Sequence, residues 1–460
     1  MKSRFQVLWL VVGAALFLLL TTGCNDNLRQ FITPIPPATG DPKAPANAVT
    51  LSTNPSGNGS NMHINVSGDT NVGVVSVGIS PVFLGKNGGN AFVINSGDAS
   101  NPATVTVYTA LLPQSAIVST VTLPTTAKQP VAGGTSSSGN TYIVNRGSND
   151  VSVIAAGIQA VTVPSIPVGT EPVMIAGNAT NNQIFVVNHG SGNVTQISTI
   201  DNTVVGNITV GKSPIWAVMS ADGLFVFVVN QGDGTAANPG SISVIDTSLG
   251  ATSPNAVIAT IPVGNTPATS LPNFAFYQPS LQRLYVSNTG ESTISVINAN
   301  GISSTNPPVK LKDITVSGNP TSVTALANGT KAYAALGNCP SSAGSPVNHI
   351  TILSVLPTCT GNLVSVIDAE ALVETKTIPV GTGAVSIDSS FDSSKVFAVN
   401  ANDSVTNSTG THAAGTISDI RTNTDSEVIR MLAPQQDLTC QVSATMFCPV
   451  QTPFKVLAFP

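Results

Sequence analysis

The chain has 460 residues, a net charge of −5 and only 8% charged residues, whereas 42% of its residues are hydrophobic. This balance excludes a disordered chain, and the lack of a basic cluster argues against a nucleic-acid partner. Soluble domains are usually about a quarter charged, so Ser, Thr, Asn and Gly must cover much of this surface. Val, Ile, Thr and Ser are frequent and Gly and Pro recur, which favours strands and turns over helices.

The first segment, residues 1–23, has the order of a secretory signal peptide. A positively charged start precedes an uncharged apolar stretch over 5–20, and small residues lead to Cys24. The segment resembles the bacterial lipobox, with Thr21 where that motif usually has Leu. The resemblance implies a lipid anchor on Cys24 and a location in the cell envelope, at the outer membrane, periplasm or cell surface. A plain signal peptide and an uncleaved anchor are the alternatives, but a spanning helix needs about 20 apolar residues.

Residues 24–48 form a proline-rich segment with no hydrophobic period. Such a composition predicts a stiff, extended linker, which would hold the following domain away from the membrane.

An internal repeat occupies residues 49–460. The recurring pattern is Val-Gly-x-x-Pro, an apolar segment, a strand like Phe-Val-Val-Asn, a glycine turn, a strand like Val-Ser-Val-Ile-Asp and a last strand rich in Val and Ile. The shortest spacing, from Pro130 to Pro172, is 42 residues, which suits the four short strands of one propeller blade. Copies are marked by a proline or, in the seventh, an alanine, at Pro81, Pro130, Pro172, Pro214, Pro267, Pro320 and Ala384.

The repeat resembles the YVTN family of β-propellers, which is named for its second strand. The resemblance implies an all-β ring of blades, each with four antiparallel strands, around a central channel. Residues 50–78 are predicted to be the last three strands of a blade and 450–460 its first strand, so the termini share one blade and leave no free sheet edge. Seven complete copies plus this composite predict eight blades. Seven blades with the N-terminal strands as decoration is the alternative.

Four cysteines lie in the repeat domain, and an even number in an exported chain favours disulfides. Three pairings are possible, and proximity along the chain favours Cys339–Cys359 and Cys440–Cys448. The first would join the ends of the largest insertion, 338–361. A metal site is the less favoured alternative, because no histidine neighbours either pair at ligand spacing.

Few residues of the repeat domain suggest a binding site. His189 is predicted at a loop tip, and Asp98, Asp233 and Asp403 follow the second strands of their repeats on one rim of the ring. Turn formation is the favoured explanation of these aspartates, and weak Ca²⁺ binding by one of their loops is the alternative. No cofactor is predicted.

Two further features are interpreted structurally. The asparagine that ends most second strands is assigned to turn chemistry rather than to a site. Aromatic residues make up only 5% of the chain, which argues against a broad stacking surface for glycans, although Trp216 and Tyr277 can contribute locally.

No hydrolase elbow, phosphate loop or haem-attachment motif is present. The favoured hypothesis is therefore a non-enzymatic envelope propeller that binds a protein or cell-wall partner, with insertions such as 338–361 on a rigid ring as the binding loops. A hydrolase with its site at the channel mouth is one alternative, because some relatives of this fold are sugar lactonases. A redox accessory protein that holds a cofactor in the channel is the other.

Overall fold

The computed structural model describes residues 47–55, 57–110, 117–157, 159–177, 181–248, 255–303, 305–340, 358–407, 410–437 and 448–459. Across these ranges the chain forms strands, turns and loops and no helix. Accordingly, no helix in the described part of the chain has the length and apolar character needed to cross a membrane. The signal-like segment, Cys24 and nearly all of the linker lie outside the described residues.

The two ends of the described chain form one four-stranded antiparallel sheet, which is blade 1. With strands numbered in chain order, its members from the inside out are β34 (Thr452–Phe459), β1 (Asn47–Thr53), β2 (Asn58–Asn65) and β3 (Thr70–Ile79). The last strand of the chain therefore supplies the first strand of the blade. The predicted blade shared between the termini is confirmed.

Seven further blades follow in chain order, and each is a four-stranded antiparallel sheet with its first strand innermost. Blades 2 to 4 are β4 (Pro81–Asn87), β5 (Asn90–Asn95), β6 (Thr104–Thr109), β7 (Ile117–Thr122); β8 (Pro130–Thr135), β9 (Thr141–Asn145), β10 (Asp150–Ile154), β11 (Val161–Pro167); and β12 (Pro172–Ala176), β13 (Gln183–Asn188), β14 (Asn193–Ser198), β15 (Thr203–Thr209). Blades 5 and 6 are β16 (Pro214–Met219), β17 (Phe225–Asn230), β18 (Ser241–Asp246), β19 (Ala256–Pro262); and β20 (Pro272–Gln278), β21 (Arg283–Asn288), β22 (Thr293–Asn298), β23 (Val309–Thr315). Blades 7 and 8 are β24 (Ser322–Ala325), β25 (Lys331–Leu336), β26 (Leu363–Asp368), β27 (Val373–Pro379); and β28 (Ala384–Ser389), β29 (Lys395–Asn400), β32 (Thr416–Arg421), β33 (Ser426–Leu432).

Blade 8 contains a hairpin that the repeat pattern did not predict. Its two short strands, β30 (Ser404–Asn407) and β31 (Gly410–Ala413), pair with each other and not with the blade. The hairpin is inserted between the second and third strands of blade 8, which is the position that carries the 338–361 insertion in blade 7.

The ring closes where β34 meets the inner strands of its two neighbouring blades. The backbone N–H of Ala458 donates to Asp388 Oδ2 of β28 at 2.9 Å, and that of Val456 lies 3.4 Å from Ser386 Oγ. On the other side, Lys86 Nζ of β4 donates to the carbonyl oxygen of Ala458. The chain is an eight-bladed β-propeller, and the seven-bladed alternative is wrong.

The Val-Gly-x-x-Pro motif has a packing reason that is clearest in blade 5. Pro214 opens β16, the position at which a strand tolerates the missing N–H. Gly211 lies against Asn230, and a Cβ at that glycine would stand only 2.6 Å from Asn230 Cγ. Asn230 Nδ2 in turn donates to Ser243 Oγ on β18 at 2.9 Å. The motif therefore lets the backbone cover a buried asparagine.

The recurring asparagine does more than shape a turn. In blade after blade its buried amide ties the second strand to side chains of the third, so the turn interpretation was incomplete. These cross-strand bonds are made by Asn95, Asn145, Asn188, Asn230, Asn288 and Asn400.

The core lies between the faces of adjacent blades. Each complete blade buries an aromatic ring in its second strand, at a position the repeat keeps fixed relative to the strand's end. These rings belong to Phe92, Tyr142, Phe185, Phe227, Tyr285, Tyr333 and Phe397, and all are at most 2% exposed. Since full burial of an aromatic side chain is worth about 2–3 kcal/mol, these rings are a main source of cohesion between blades.

One repeat marker was assigned wrongly. The sequence pattern placed the start of blade 6 at Pro267, but β20 begins at Pro272. Pro267 lies in the preceding turn, where its carbonyl oxygen accepts from the N–H of Gly240 at 2.7 Å. Both prolines fit the start of a strand, and only the pairing of Pro272 with Asn288 in β21 distinguishes them.

Of the two predicted disulfides, Cys339–Cys359 is formed. Both cysteines are buried and pack with Val385 and Phe397 of blade 8. The bridge therefore joins the two ends of the insertion at the face between blades 7 and 8. Cys448 is also disulfide-bonded, while Cys440, its predicted partner, lies outside the described residues.

His63 on β2 makes the stability of blade 1 sensitive to acid. Its side chain is fully buried and meets the ring of Tyr108 edge-on, with 5.5 Å between ring centroids. Burial lowers the pKa of His63 from 6.5 to about 4. Between these values the unfolded chain binds a proton that the folded chain does not, so stability is complete above pH 6.5 and falls as the pH drops towards 4.

We therefore expect His63 to account for a loss of about 3 kcal/mol of unfolding free energy between pH 7 and pH 4. Urea titrations at stepped pH would measure this loss in the parent chain and in His63→Gln, which cannot take up the proton. His412→Gln, on the hairpin outside the blades, is the matched control. An identical pH slope in the parent and His63→Gln would contradict the assignment.

Candidate functional site

The inner strands surround a central channel, and a cavity of about 510 Å³ lies within it. Every blade contributes lining residues, from Phe83–Lys86 in blade 2 round to Lys455–Leu457 in blade 1. Cavities of this size, mostly apolar with a few polar groups, are typical of small-molecule sites. In most blades the lining residues include the end of the inner strand that is farther from the repeat's proline.

One wall of the cavity is aromatic. Trp216 and Phe274, from the inner strands of blades 5 and 6, have ring centroids 4.7 Å apart. Trp216 Nε1 donates to the carbonyl oxygen of Ala275 at 3.1 Å, which fixes the indole plane. Tyr277 also lines the cavity and stacks on Phe227, with 5.8 Å between centroids. These rings form a rigid apolar surface for a flat or hydrophobic ligand body.

Three charged side chains line the same cavity: Lys86, Asp388 and Lys455. Their formal charges sum to +1, in a chain whose overall charge is −5. Lys86 stands near the end of β4 and is exposed, whereas Lys455 lies in the middle of β34 and is partly buried. The channel is thus locally cationic within an acidic protein.

Lys455 holds its ammonium group over the aromatic wall. Nζ lies 5.5 Å from the ring centroid of Phe274 and 5.8 Å from that of Trp216, within the range of a cation–π interaction. No acceptor among the described residues is within hydrogen-bond distance of this nitrogen. An ammonium group has three N–H donors, so the donors of Lys455 are available to a ligand.

The surroundings of Lys455 disfavour its charge. The pKa of Lys455 is lowered from 10.5 to about 8, chiefly by burial; the charge of Asp388 opposes this shift and that of Lys86 adds to it. The side chain is partly exposed to the channel, yet protein atoms surround it on most sides. The lysine is therefore positively charged at neutral pH but less stable in that form than a surface lysine.

Asp388 attracts Lys455 electrostatically but forms no ion pair with it, and its oxygens accept hydrogen bonds from other groups. Oδ1 accepts from the N–H of Ser389 at 3.0 Å and from Thr324 Oγ1 at 3.3 Å, and Oδ2 accepts from Ala458 N–H at 2.9 Å. Lys86 Nζ donates one hydrogen bond to the carbonyl oxygen of Ala458 and lies 4.9 Å from the ring centroid of Phe459. Neither Lys86 nor Lys455 therefore forms an ion pair among the described residues, although Asp388 shares the cavity with both.

The loop residues predicted from the sequence, His189 and the three aspartates, lie on the opposite rim. In each blade the second strand ends beside the start of the first, as Asn95 pairs with Pro81 whereas Ala91 pairs with Lys86. The turns that carry the predicted aspartates follow the ends of second strands, so they lie at the rim away from Lys86. The structure does not bring these aspartates together with the channel lysines.

Asp98 and Asp233 make hydrogen bonds within their own loops. Asp98 Oδ1 accepts from the N–H groups of Ser100 and Asn101 at 2.7 and 2.8 Å, which lowers the pKa of Asp98. Asp233 likewise accepts from Thr235 N–H at 3.1 Å, and its pKa is also lowered, chiefly by the Thr235 hydroxyl.

Asp403 is the only one of the three that is buried. It accepts from Thr416 Oγ1 at 2.6 Å and lies 3.6 Å from Arg430. In the described ranges no group of three or more His, Cys, Asp or Glu side chains could hold a metal ion.

His189 stands at a loop as predicted, but it is more enclosed than a loop tip suggests. Its side chain is 10% exposed, and Nδ1 lies 3.4 Å from Glu171 Oε2. Burial lowers the pKa of His189, and the contact with Glu171 opposes that shift. Glu171 also lies 3.6 Å from Arg146, so these three residues form a polar cluster at the rim between blades 3 and 4.

Sequence reasoning named Trp216 and Tyr277 as local stacking residues without placing them in the channel, and it missed the lysines. One signal was available for Lys455: it is the only charged residue in the apolar segment Val450–Phe459 of a chain that is 8% charged. That this lysine points into the channel depends on the register of β34 against β1, where Lys455 pairs with Leu51.

No known protein-family model matches the sequence, and no curated protein sequence matches it. The fold is similar to that of dihydro-heme d1 dehydrogenase NirN, at 12% identity and a TM-score of 0.58 over 94% of this chain and 80% of that one. Apo AztD from Citrobacter koseri is similar at 9% identity and a TM-score of 0.56, over 90% and 98% of the two chains. Periplasmic gluconolactonase from Pseudomonas aeruginosa is similar at 13% identity and a TM-score of 0.52, over 73% and 97%. At these identities the likenesses show the β-propeller fold alone.

Proposed function

We propose that this chain is a non-enzymatic binding protein of the bacterial cell envelope, and that its channel takes a small organic anion with an apolar body. The observation that carries the proposal is Lys455, whose ammonium lies over Trp216 and Phe274 with no hydrogen-bond acceptor among the described residues. A carboxylate in the cavity would accept from Lys455 and Lys86, and the hydrophobic part of the ligand would cover the aromatic wall.

The sequence predicts a protein or cell-wall partner, and the chemistry of the channel restricts which of these could bind there. A cell-wall fragment with a carboxylate belongs to the proposed class of ligand. A protein partner would offer only an acidic side chain or terminus to a cavity of about 510 Å³. The envelope location itself is supported by the lipobox-like segment before Cys24. Fractionation of cells that express the Cys24→Ser variant tests this location. Without a cysteine to carry the lipid, the variant should be absent from the membrane fraction.

Binding can be followed through Trp216, because the chain has only two tryptophans and the other is Trp9 in the signal-like segment. In the full chain with Trp9→Phe, 2-naphthoate should change the Trp216 fluorescence in a saturable way. The neutral isostere 2-naphthamide should bind at least about tenfold more weakly, which corresponds to 1.4 kcal/mol for loss of the charge-assisted contacts.

In the Trp9→Phe chain, Lys86→Met should weaken the binding of 2-naphthoate and leave the binding of 2-naphthamide nearly unchanged. Lys312→Met on the exposed face of β23 is the matched control. Equal affinity for the acid and the amide, or no binding of either, would count against the proposed ligand class.

A hydrolase at the channel is the second candidate, and one observation favours it. The pKa of Lys455, lowered to about 8, lies near the pH at which a general base is most effective. Turnover of a lactone panel by the parent chain, lost in Lys455→Met, would support this candidate over a purely binding role. Failure to turn over any member would support the binding role.

A further inference from the structure

We propose that Lys455 forms a reversible imine with an aldehyde or ketone group of the channel ligand. The inference rests on the proposed function, because it requires an organic acid to enter the cavity. The ligand would then carry two groups: a carboxylate that pairs with Lys86 and a carbonyl that reacts with Lys455.

The position of Lys455 suits this chemistry. It lines the cavity from the innermost strand of blade 1, and its nitrogen faces the rings of Trp216 and Phe274 rather than an acceptor in the described chain. An amine held in an ion pair must break that pair before it attacks a carbonyl carbon. Lys455 has no such pair to break within the described residues.

The surroundings also increase the fraction of Lys455 that is in the neutral amine form. The titratable groups that line the cavity with Lys455 are Lys86, Asp388 and Tyr277. Burial and the positive charge of Lys86 outweigh the attraction of Asp388, which leaves the pKa of Lys455 at about 8. At pH 7 roughly a tenth of such an amine is neutral, on the order of a hundredfold more than for an ordinary lysine. Desolvation and a neighbouring cation are the two means by which proteins activate a lysine for imine formation.

The reaction needs no external oxidant or reductant. The nitrogen lone pair of neutral Lys455 attacks the carbonyl carbon, a C–N bond forms, and a proton moves from nitrogen to the former carbonyl oxygen. The C–O bond then breaks, the oxygen leaves as water with the second N–H proton, and the C–N bond becomes C=N, so amine plus carbonyl yields imine plus water. Hydrolysis reverses the sequence and releases the ligand, which is compatible with a binding role.

The carboxylate determines which carbonyl compound would react. Lys86 is exposed near the end of β4, while Lys455 lies partly buried on β34. Both lysines line one cavity. An oxo acid or a carboxylated aldehyde can therefore pair with the outer lysine while its carbonyl reaches the inner one. A neutral aldehyde lacks the first contact and should react more slowly.

The test uses 4-carboxybenzaldehyde as the probe and sodium cyanoborohydride to reduce any imine to a stable secondary amine. The full chain should gain one carboxybenzyl group, and peptide mass spectrometry should place it on Lys455. Modification at Lys455 should exceed that at any other lysine by at least about tenfold at pH 7. The preference for Lys455 over other lysines should fall as the pH rises above about 8, because ordinary lysines continue to lose their protons there while Lys455 is already neutral.

Three comparisons make the result specific. Lys455→Arg keeps the positive charge but cannot form the imine, so it should bind 2-naphthoate and gain no adduct at this position. Lys86→Met should react with 4-carboxybenzaldehyde and with benzaldehyde at similar rates, whereas the parent should prefer the carboxylated probe. Excess 2-naphthoate should protect Lys455 in the parent.

The outcomes separate the imine from the proposed function. If naphthoate binds but Lys455 is modified no faster than surface lysines, the imine is refuted and the binding role stands. If naphthoate does not bind and Lys455 is not modified preferentially, both proposals fail. Modification of Lys455 that naphthoate does not prevent would also overturn the inference, because the reaction would then not take place in the ligand site.

Discussion

Replacement of Lys395 by methionine should lower the unfolding free energy by about 3–5 kcal/mol, the usual cost of removing one partner from a buried ion pair. Lys395 opens β29 in blade 8 and is fully buried with Asp69, from the β2–β3 turn of blade 1, and Asp419 on β32. Its ammonium pairs with Asp69 and lies 3.5 Å from Asp419 Oδ2. Arg421 is 3.2 Å from the other oxygen of Asp69. The methionine variant would leave two buried carboxylates facing one guanidinium.

The location of this cluster explains why the effect should be global. It crosses from blade 8 to blade 1, the junction at which the ring is closed by strands from opposite ends of the chain. Urea denaturation of the full chain would measure the loss. A second variant, Lys395→Met with Asp419→Asn, should recover part of it because one uncompensated charge is removed.

Lys312→Met, on the exposed face of blade 6, controls for loss of a lysine as such. A change in Lys395→Met no larger than about 0.5 kcal/mol, as for ordinary surface substitutions, would show that the cluster does not stabilise the closure.

Much of this fold could be predicted because the same local sequence pattern recurs in many copies of the repeat. A buried asparagine, a glycine that covers it and a proline that opens a strand recur in register, so errors in one copy are corrected by the others. The start of blade 6 is the exception. Around Pro267 the chain offers a second proline five residues later, at Pro272, and local preference cannot choose between them. The choice is made by hydrogen bonding to β21, which a single copy of the motif does not encode.

The site could not be predicted to the same degree. Loop residues such as His189 and Asp98 were predicted as candidate binding residues because they are polar residues next to apolar strands. The channel residues belong to the inner strands themselves, and their role depends on which face of each strand turns to the axis. Lys86 and Lys455 lie near opposite ends of the chain and meet only because the ring closes through β34. The repeat reveals this closure, whereas the side-chain directions follow from strand register.

Lys455→Met should make the protein more stable while it abolishes the binding of 2-naphthoate. The pKa of Lys455 is lowered from 10.5 to about 8 in the folded chain. Between these values the unfolded chain holds a proton that the folded chain has lost, so the stability of the parent rises as the pH increases through this window. Below pH 8 the lysine is charged in both states, and the folded chain bears the full cost of holding a charge in the channel.

We expect the methionine variant to gain about 1–2 kcal/mol at pH 7, after allowance for water in the channel and for the lost cation–π contacts. It should also lose the rise in stability between pH 8 and pH 10. Urea titrations at pH 7 and pH 10 would measure both effects, with Lys312→Met as the control, and calorimetry with naphthoate would report binding.

A stabilised variant that no longer binds would identify Lys455 as a residue kept for function at a cost in stability, which is the pattern expected of binding sites. A variant less stable than the parent at pH 7, with naphthoate affinity intact, would instead make Lys455 part of the packing of the ring. The lysine would then owe its place to its contacts with Trp216 and Phe274, and the cationic character of the channel would have to be assigned to Lys86 alone.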